Sequence, residues 1–216
     1  MFAKREALAM WKWVLLSLAL GSGVAQAATE KAVVAGGCFW CVESDFESVS
    51  GVKRVVSGYT GGTTANPTYK QVGKGGTGHY EAVEITFDNA KISYDQIIGL
   101  FFRSVDPTDA GGQFCDRGDS YRTAVFPLNA AQKAAAEAEK AQAAKALGRK
   151  IVTPILPAGP FWKAEGYHQD YYKGQNIVIT RRGPKSQAEA YKFYRSACGR
   201  DARVKQLWGK AAPFVK

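Results

Sequence analysis

Lys31-Ala32-Val33-Val34-Ala35 is a short apolar run that closes on Gly36-Gly37, and Cys38 follows at once, ahead of a stretch with helical spacing. These residues specify a buried strand that turns sharply into a helix. Val42, Phe46 and Val49 recur at helical spacing, the acids Glu43 and Asp45 are expected to favour the helix dipole, and Gly51 is the stop. A cysteine at such a junction faces unpaired backbone N–H groups and the positive end of the dipole, which favour a thiolate. The paired glycines let the backbone turn, and Phe39 and Trp40 can wall the sulfur with apolar surface.

On spacing alone, several chemistries are open to Cys38. Cys38-x-x-Cys41 fits a thioredoxin-type redox pair, and a structural disulfide is open to any of the four cysteines, Cys38, Cys41, Cys115 and Cys198. Zinc needs four donors, and beyond the pair only Cys115, Cys198, His79 and His168 remain, each isolated. A c-type haem site is excluded because Val42 follows Cys41. Four cysteines allow three pairings, so sequence does not choose among them.

The rest of the chain alternates strand and helix signals. Residues 52–59 read as a strand, and residues 61–78, with six glycines and Asn66-Pro67, as a long loop. Residues 79–87 read as a third strand. Tyr94, Ile97, Ile98 and Phe101 mark an amphipathic helix that ends before Asp106-Pro107. An irregular stretch at 106–120 leads to a strand at 121–126, and Asn129 caps an alanine-rich helix that Gly148 stops. Residues 151–156 suit an edge strand because Pro154 cannot donate to a ladder. The remainder is rich in aromatics and ends in a basic tail that carries Cys198. This order is that of an α+β two-layer sandwich in one domain.

The first residues are expected to lie outside that domain. Lys4, Arg5 and Lys12 precede an apolar run and then Ala25-Gln26-Ala27, the pattern of a secretory signal peptide covering residues 1–27. Gly21, Ser22, Gly23 and Gln26 break the apolar run too early for a membrane span, so no stable membrane insertion is expected after cleavage. Residues 28–216 then form the exported domain, in a compartment, the bacterial periplasm, where disulfides persist. The net charge of +10 comes from scattered Lys and Arg with no nucleic-acid motif, so a basic solvated surface is expected rather than a nucleic-acid partner.

Several acidic and hydroxyl groups fall in the glycine-rich irregular segments: Tyr69, Glu81, Asp116 and Tyr121. Loops near a nucleophile commonly supply the remaining chemical groups. With these segments in view, the sequence resembles the peptide-methionine sulfoxide reductases of the A type, which reduce the S epimer of methionine sulfoxide. Gly37-Cys38-Phe39-Trp40, Ser57-Gly58-Tyr59-Thr60-Gly61-Gly62, Asn66-Pro67-Thr68-Tyr69, Thr77-Gly78-His79-Tyr80-Glu81, Asp106-Pro107-Thr108, Asp116-Arg117-Gly118 and Ala164-Glu165-Gly166-Tyr167-His168-Gln169 follow the family order.

The resemblance implies an α/β two-layer plait, expected here with a ferredoxin-like core, a mixed sheet, long irregular loops and a coil-rich C-terminal tail. It makes Cys38 the nucleophile, Glu81 the acid, Tyr69 and Tyr121 the hydroxyl partners at the sulfoxide oxygen and Asp116 a supporting carboxylate. Phe39 and Trp40 become the pocket for the S-methyl group, with Tyr69, Glu81 and Tyr121 also touching substrate. Cys198 becomes the resolving thiol, in a mobile basic tail, closing a disulfide with Cys38. No metal or bound cofactor enters such a cycle; an external dithiol of the thioredoxin type reduces the disulfide, and a monomer is expected. The chain departs from the family pattern at Val105, at Asp119-Ser120 and at Cys115, where many relatives carry Asn. Two rival readings stand beside this one: a thioredoxin-like oxidoreductase using Cys38 and Cys41, and a binding protein stapled by two disulfides.

Overall fold

The structure is a computed structural model that describes residues 28–215; the expected leader at 1–27 lies outside the described residues. The chain opens with β1 (Thr29–Gly36), α1 (Phe39–Glu47), β2 (Val52–Thr60), α2 (Tyr69–Lys74), β3 (Tyr80–Asp88) and α3 (Tyr94–Ser104). The short strands β4 (Gly112–Gln113), β5 (Asp116–Arg117) and β6 (Thr123–Val125) lead to α4 (Ala130–Leu147) and β7 (Trp162–Lys163). A hairpin of β8 (Ile177–Thr180) and β9 (Gly183–Ser186), then α5 (Gln187–Ala197) and α6 (Arg200–Trp208), complete it.

The central sheet has the order β6-β1-β3-β2-β7, so its four main strands form the split arrangement of a ferredoxin-like plait. Every pairing between these strands is antiparallel, and the expected mixed sheet reduces to one parallel bridge, Val125 with Ile155. That bridge is also what remains of the edge strand expected at 151–156. The amide of Val125 donates to the Pro154 carbonyl and Leu156 donates back to Val125, with no further ladder.

Alternation along β1 divides the core. Ala32 and Val34 face the side that packs Ile97, Ile98 and Phe101 of α3, whereas Val33 and Ala35 face Tyr80, Ala124 and Phe126 on the other. Ser93 and Gln96 form a capping box at the start of α3, and Gly148 ends α4 in the left-handed conformation.

Three local expectations are corrected. The loop at 61–78 contains α2, nucleated by a capping box in which Thr68 accepts from the Gln71 amide and Gln71 accepts from that of Thr68. Glu43 and Asp45 serve no helix dipole, being fully buried in α1: Glu43 accepts from Ser57 Oγ at 3.0 Å and from the Asp170 amide at 3.0 Å, and Asp45 pairs with Arg195 at 2.8 Å. The C-terminal tail is not coil-rich, since α5 and α6 occupy most of it. Arg195 and Arg200 are interior rather than solvated. Arg195 bridges Asp45 and Asp201, and Arg200, 2% exposed, donates to the carbonyls of Gly36 at 3.1 Å and Ser104 at 3.0 Å. Guanidinium groups tied to partners on β1, α1 and α3 hold the tail against the domain instead of leaving it mobile.

Candidate active site

The turn between β1 and α1 sets the position of the sulfur. Gly37 has φ of +80°, and a Cβ built there would lie 2.6 Å from the Gln113 side chain, so the tight turn needs glycine. Cys38 caps α1 without a side-chain cap bond. The first free N–H of the helix, that of Phe39, donates instead to Glu81 Oε2 at 3.1 Å. The helix N-terminus therefore binds the acid, which stands on β3, and not the sulfur, contrary to the sequence expectation.

Glu81 is buried, and burial pushes its carboxyl up to about 8 against the pull of the Phe39 N–H, with Asp116 and Cys41 adding to the rise. The Tyr121 hydroxyl interacts with Glu81 on one side and with Tyr69 on the other. Burial, followed by the Glu81 charge, raises both phenols, Tyr69 to about 12, so both remain donors at neutral pH. Asp116 is half-buried and its carboxyl is raised by desolvation, with Arg200 opposing.

Cys38 and Cys41 are free, and their thiols interact across the first turn of α1. That interaction, then burial, then the charges of Cys41, Glu81 and Asp116, push the Cys38 thiol well up. Cys41 moves down through the same interaction and through the nearby Arg200 and Arg195, against its burial.

The apolar wall is built as expected and extended by residues outside the expected set. Phe39 lies buried between Tyr59, Tyr69 and His168, and Trp40 stacks on Tyr171 with ring centroids 3.7 Å apart. The Trp40 indole N–H donates to His168 Nδ1 at 3.1 Å, and burial lowers His168 to about 4, so the ring stays neutral and accepts. Glu165 accepts from the Tyr59 hydroxyl at 3.0 Å and from the Tyr69 amide at 2.8 Å, fixing the start of α2. Gln169 clamps β2 through both the amide and the carbonyl of Ser57. The motif at 164–169 marked this segment, but its partners on β2, α1 and α2 are long-range.

One cavity of about 640 Å³ gathers the whole expected set: Cys38, Phe39, Trp40, Tyr69, Glu81, Asp116, Tyr121 and Cys198. The cysteine pairing differs from the expected one. Cys198, the C-cap of α5, is bonded to Cys115 with Cα atoms 4.9 Å apart, and Cys38 is not its partner. The ordered helix end brings Cys198 to the loop that carries Asp116. Cys115 and Cys198 also cluster with Asp116, but a disulfide leaves no thiolate to ligate a metal there. Among the described residues no helix is long and apolar enough to cross a membrane.

A carboxyl kept protonated beside a cysteine thiol, inside an aromatic pocket, suits the reduction of a sulfoxide, and comparison with known proteins points to the same chemistry. The family profile described as Peptide methionine sulfoxide reductase matches residues 30–210. The chain is 50% identical over 181 residues to "Peptide methionine sulfoxide reductase MsrA 2" of Rhizobium meliloti (strain 1021), covering 84% of each protein. A protein of the same name from Caulobacter vibrioides is 51% identical over 182 residues, covering 84% of this chain and 86% of that one. Among solved structures, reduced Mxr1 from Saccharomyces cerevisiae superposes with a TM-score of 0.64 at 28% identity, over 68% of this chain and 85% of that one. With the match running through both the β1–α1 turn and the C-terminal helices, the chain belongs to the peptide methionine sulfoxide reductase family.

Proposed function

We propose that the chain reduces the S epimer of methionine sulfoxide, free or within a polypeptide, with Cys38 as nucleophile and Glu81 as acid. The observation that carries this reading is the Phe39 N–H to Glu81 bond, which ties the carboxyl to the residue after Cys38; with burial keeping that carboxyl protonated, it supports an acid working beside the sulfur. A sulfoxide oxygen leaves sulfur only when proton donors neutralise it. Glu81 donates to that oxygen, with Tyr69 and Tyr121 hydrogen-bonding it as charge develops. The thiol proton of Cys38 returns to Glu81 as the sulfur attacks. One oxygen moves from substrate to Cys38, giving thioether and a sulfenic acid, so atoms and protons balance. Phe39 and Trp40 shelter the S-methyl group, and Asp116 supports the electrostatics from the rim.

The sulfenic acid then condenses with a thiol, releasing water. Cys41 is the free thiol that interacts with Cys38, and Cys198 is held by Cys115, which supports Cys41 as the first partner. With Cys115 and Cys198 reduced, Cys198 attacks the Cys38–Cys41 disulfide and Cys115 closes on Cys198, restoring both free thiols. Cys198 thus resolves by exchange, and the Cys115–Cys198 bond is what an external dithiol of the thioredoxin type reduces. Cys115 is exposed, which supports access by that donor. No bound cofactor is required. The leader expected at 1–27 and the disulfide together support an exported, periplasmic enzyme in the repair of oxidised proteins.

The test is stereochemical. Residues 28–216 and its Cys38→Ser variant are incubated with dithiothreitol and, separately, the S and R epimers of a methionine sulfoxide peptide, and products are followed by mass. Reduction of the S epimer alone, lost in the variant, is expected. A folded protein that reduces neither epimer but reduces insulin favours the thioredoxin-like reading.

A further inference from the structure

The β8–β9 hairpin presents an apolar face that the chemistry above does not use. Ile177 is 68% exposed and Ile179 80%, and as alternate residues of one strand they share a face. Between them, Val178 packs inward with Cys41, Tyr171 and Tyr191 and fixes the strand to the floor of the catalytic cavity. Ile179 and Arg181 stand on the rim of that cavity. The face is therefore continuous with the site that receives the sulfoxide side chain.

The strand is also open along its backbone. β8 pairs only with β9, and among the described residues no other backbone group bonds to residues 177–179. Pro184 removes a donor from β9, leaving β8 as the edge with its donors intact. Residues 177–186 carry Arg181, Arg182 and Lys185 and no acid, and the Arg182 guanidinium is held over the Phe193 ring at 5.1 Å.

We propose that this hairpin is a polypeptide-docking strip: an extended segment flanking the oxidised methionine adds to the edge of β8, with apolar residues on Ile177 and Ile179 and acidic residues toward the arginines. This rests on the sulfoxide-reductase reading and names the substrate class it prefers, unfolded chain with apolar and acidic residues around the oxidised methionine. Strand addition gives affinity through the main chain, and alternate side chains give selectivity. A free amino acid reaches no further than the cavity.

The experiment compares two S-epimer substrates, a blocked single methionine sulfoxide and a peptide with Leu and Glu around the sulfoxide, both with dithiothreitol as reductant. For the Ile177→Ser/Ile179→Ser double variant, kcat/KM on the peptide should fall by about tenfold through KM, with the blocked residue turned over as before. Equal losses on both substrates, or no loss on the peptide, overturn the proposal. So does a loss seen only when a thioredoxin replaces dithiothreitol, which assigns the face to the electron donor. Wild-type protein inactive on both substrates refutes the sulfoxide-reductase reading itself.

Discussion

Replacing Glu81 with Gln keeps the shape of the acid and removes its proton. A carboxyl raised to about 8 is roughly nine-tenths protonated at pH 7, whereas one at 4.5 is about 0.3% protonated. The folded environment thus multiplies the population of the acid by a factor on the order of 10². Removing a positioned general acid typically slows a reaction by about 100-fold to 10,000-fold. Glu81→Gln should therefore lower the single-turnover rate at least about 100-fold, with Cys38 still open to alkylation. The assay mixes prereduced enzyme in excess with the S epimer, quenches in acid and counts methionine. The pH dependence follows from the sign of the shift: a raised carboxyl stays protonated until the folded value, so the wild-type rate should fall as pH rises through about 8. The same shift means that the fold takes up a proton between the ordinary carboxyl range and about 8, so stability declines across that window, and Gln removes the decline. A variant within tenfold of wild type, or a rate flat from pH 7 to 9, refutes the assignment.

Three further outcomes are expected. Prereduced wild type given excess sulfoxide and no reductant should form about two methionines per chain, and Cys198→Ser about one; wild type stopping at one contradicts exchange between the two cysteine pairs. Tyr121→Phe should lower kcat about tenfold to 100-fold with KM little changed, because its hydroxyl acts as charge develops on oxygen; a rise in KM alone places it in binding. Arg200→Met leaves two buried carbonyls without their donor and removes one of the two guanidinium groups beside Asp45, and urea unfolding should show a loss of about 2 kcal/mol or more; an unchanged midpoint shows that the tail is held by other means.

Local signals carried most of the fold. The β1 turn, the α3 stripe and the Asn129-capped α4 were legible because periodicity, a cap and a stop agree at each. The helix α2 was hidden because it is six residues long amid glycines, although Thr68 and Gln71 carried its signature. Ser186 and Glu189 likewise mark the start of α5. The basic run that follows misled because charge alone reads as solvated, and the buried partner of Arg195, Asp45, is distant in sequence. Every expected site residue converged on one cavity because the family motifs fix them residue by residue. The bonding among them was not legible: which group takes the Phe39 N–H, and which cysteine takes Cys198, depend on tertiary distances.

The bond from the peptide after Cys38 to Glu81 also bears on how the enzyme tolerates motion. Glu81 and Cys38 are tied through a single peptide unit at a helix start, with α1 seated on the central sheet, while the hairpin and the loop of Cys115 form the facing wall of the cavity. That wall carries Asp116 and Tyr121 and, through Val178, touches Cys41, so a wider entrance would be felt at the partners of the Cys38–Glu81 pair, and the link from Cys115 to Cys198 restrains it.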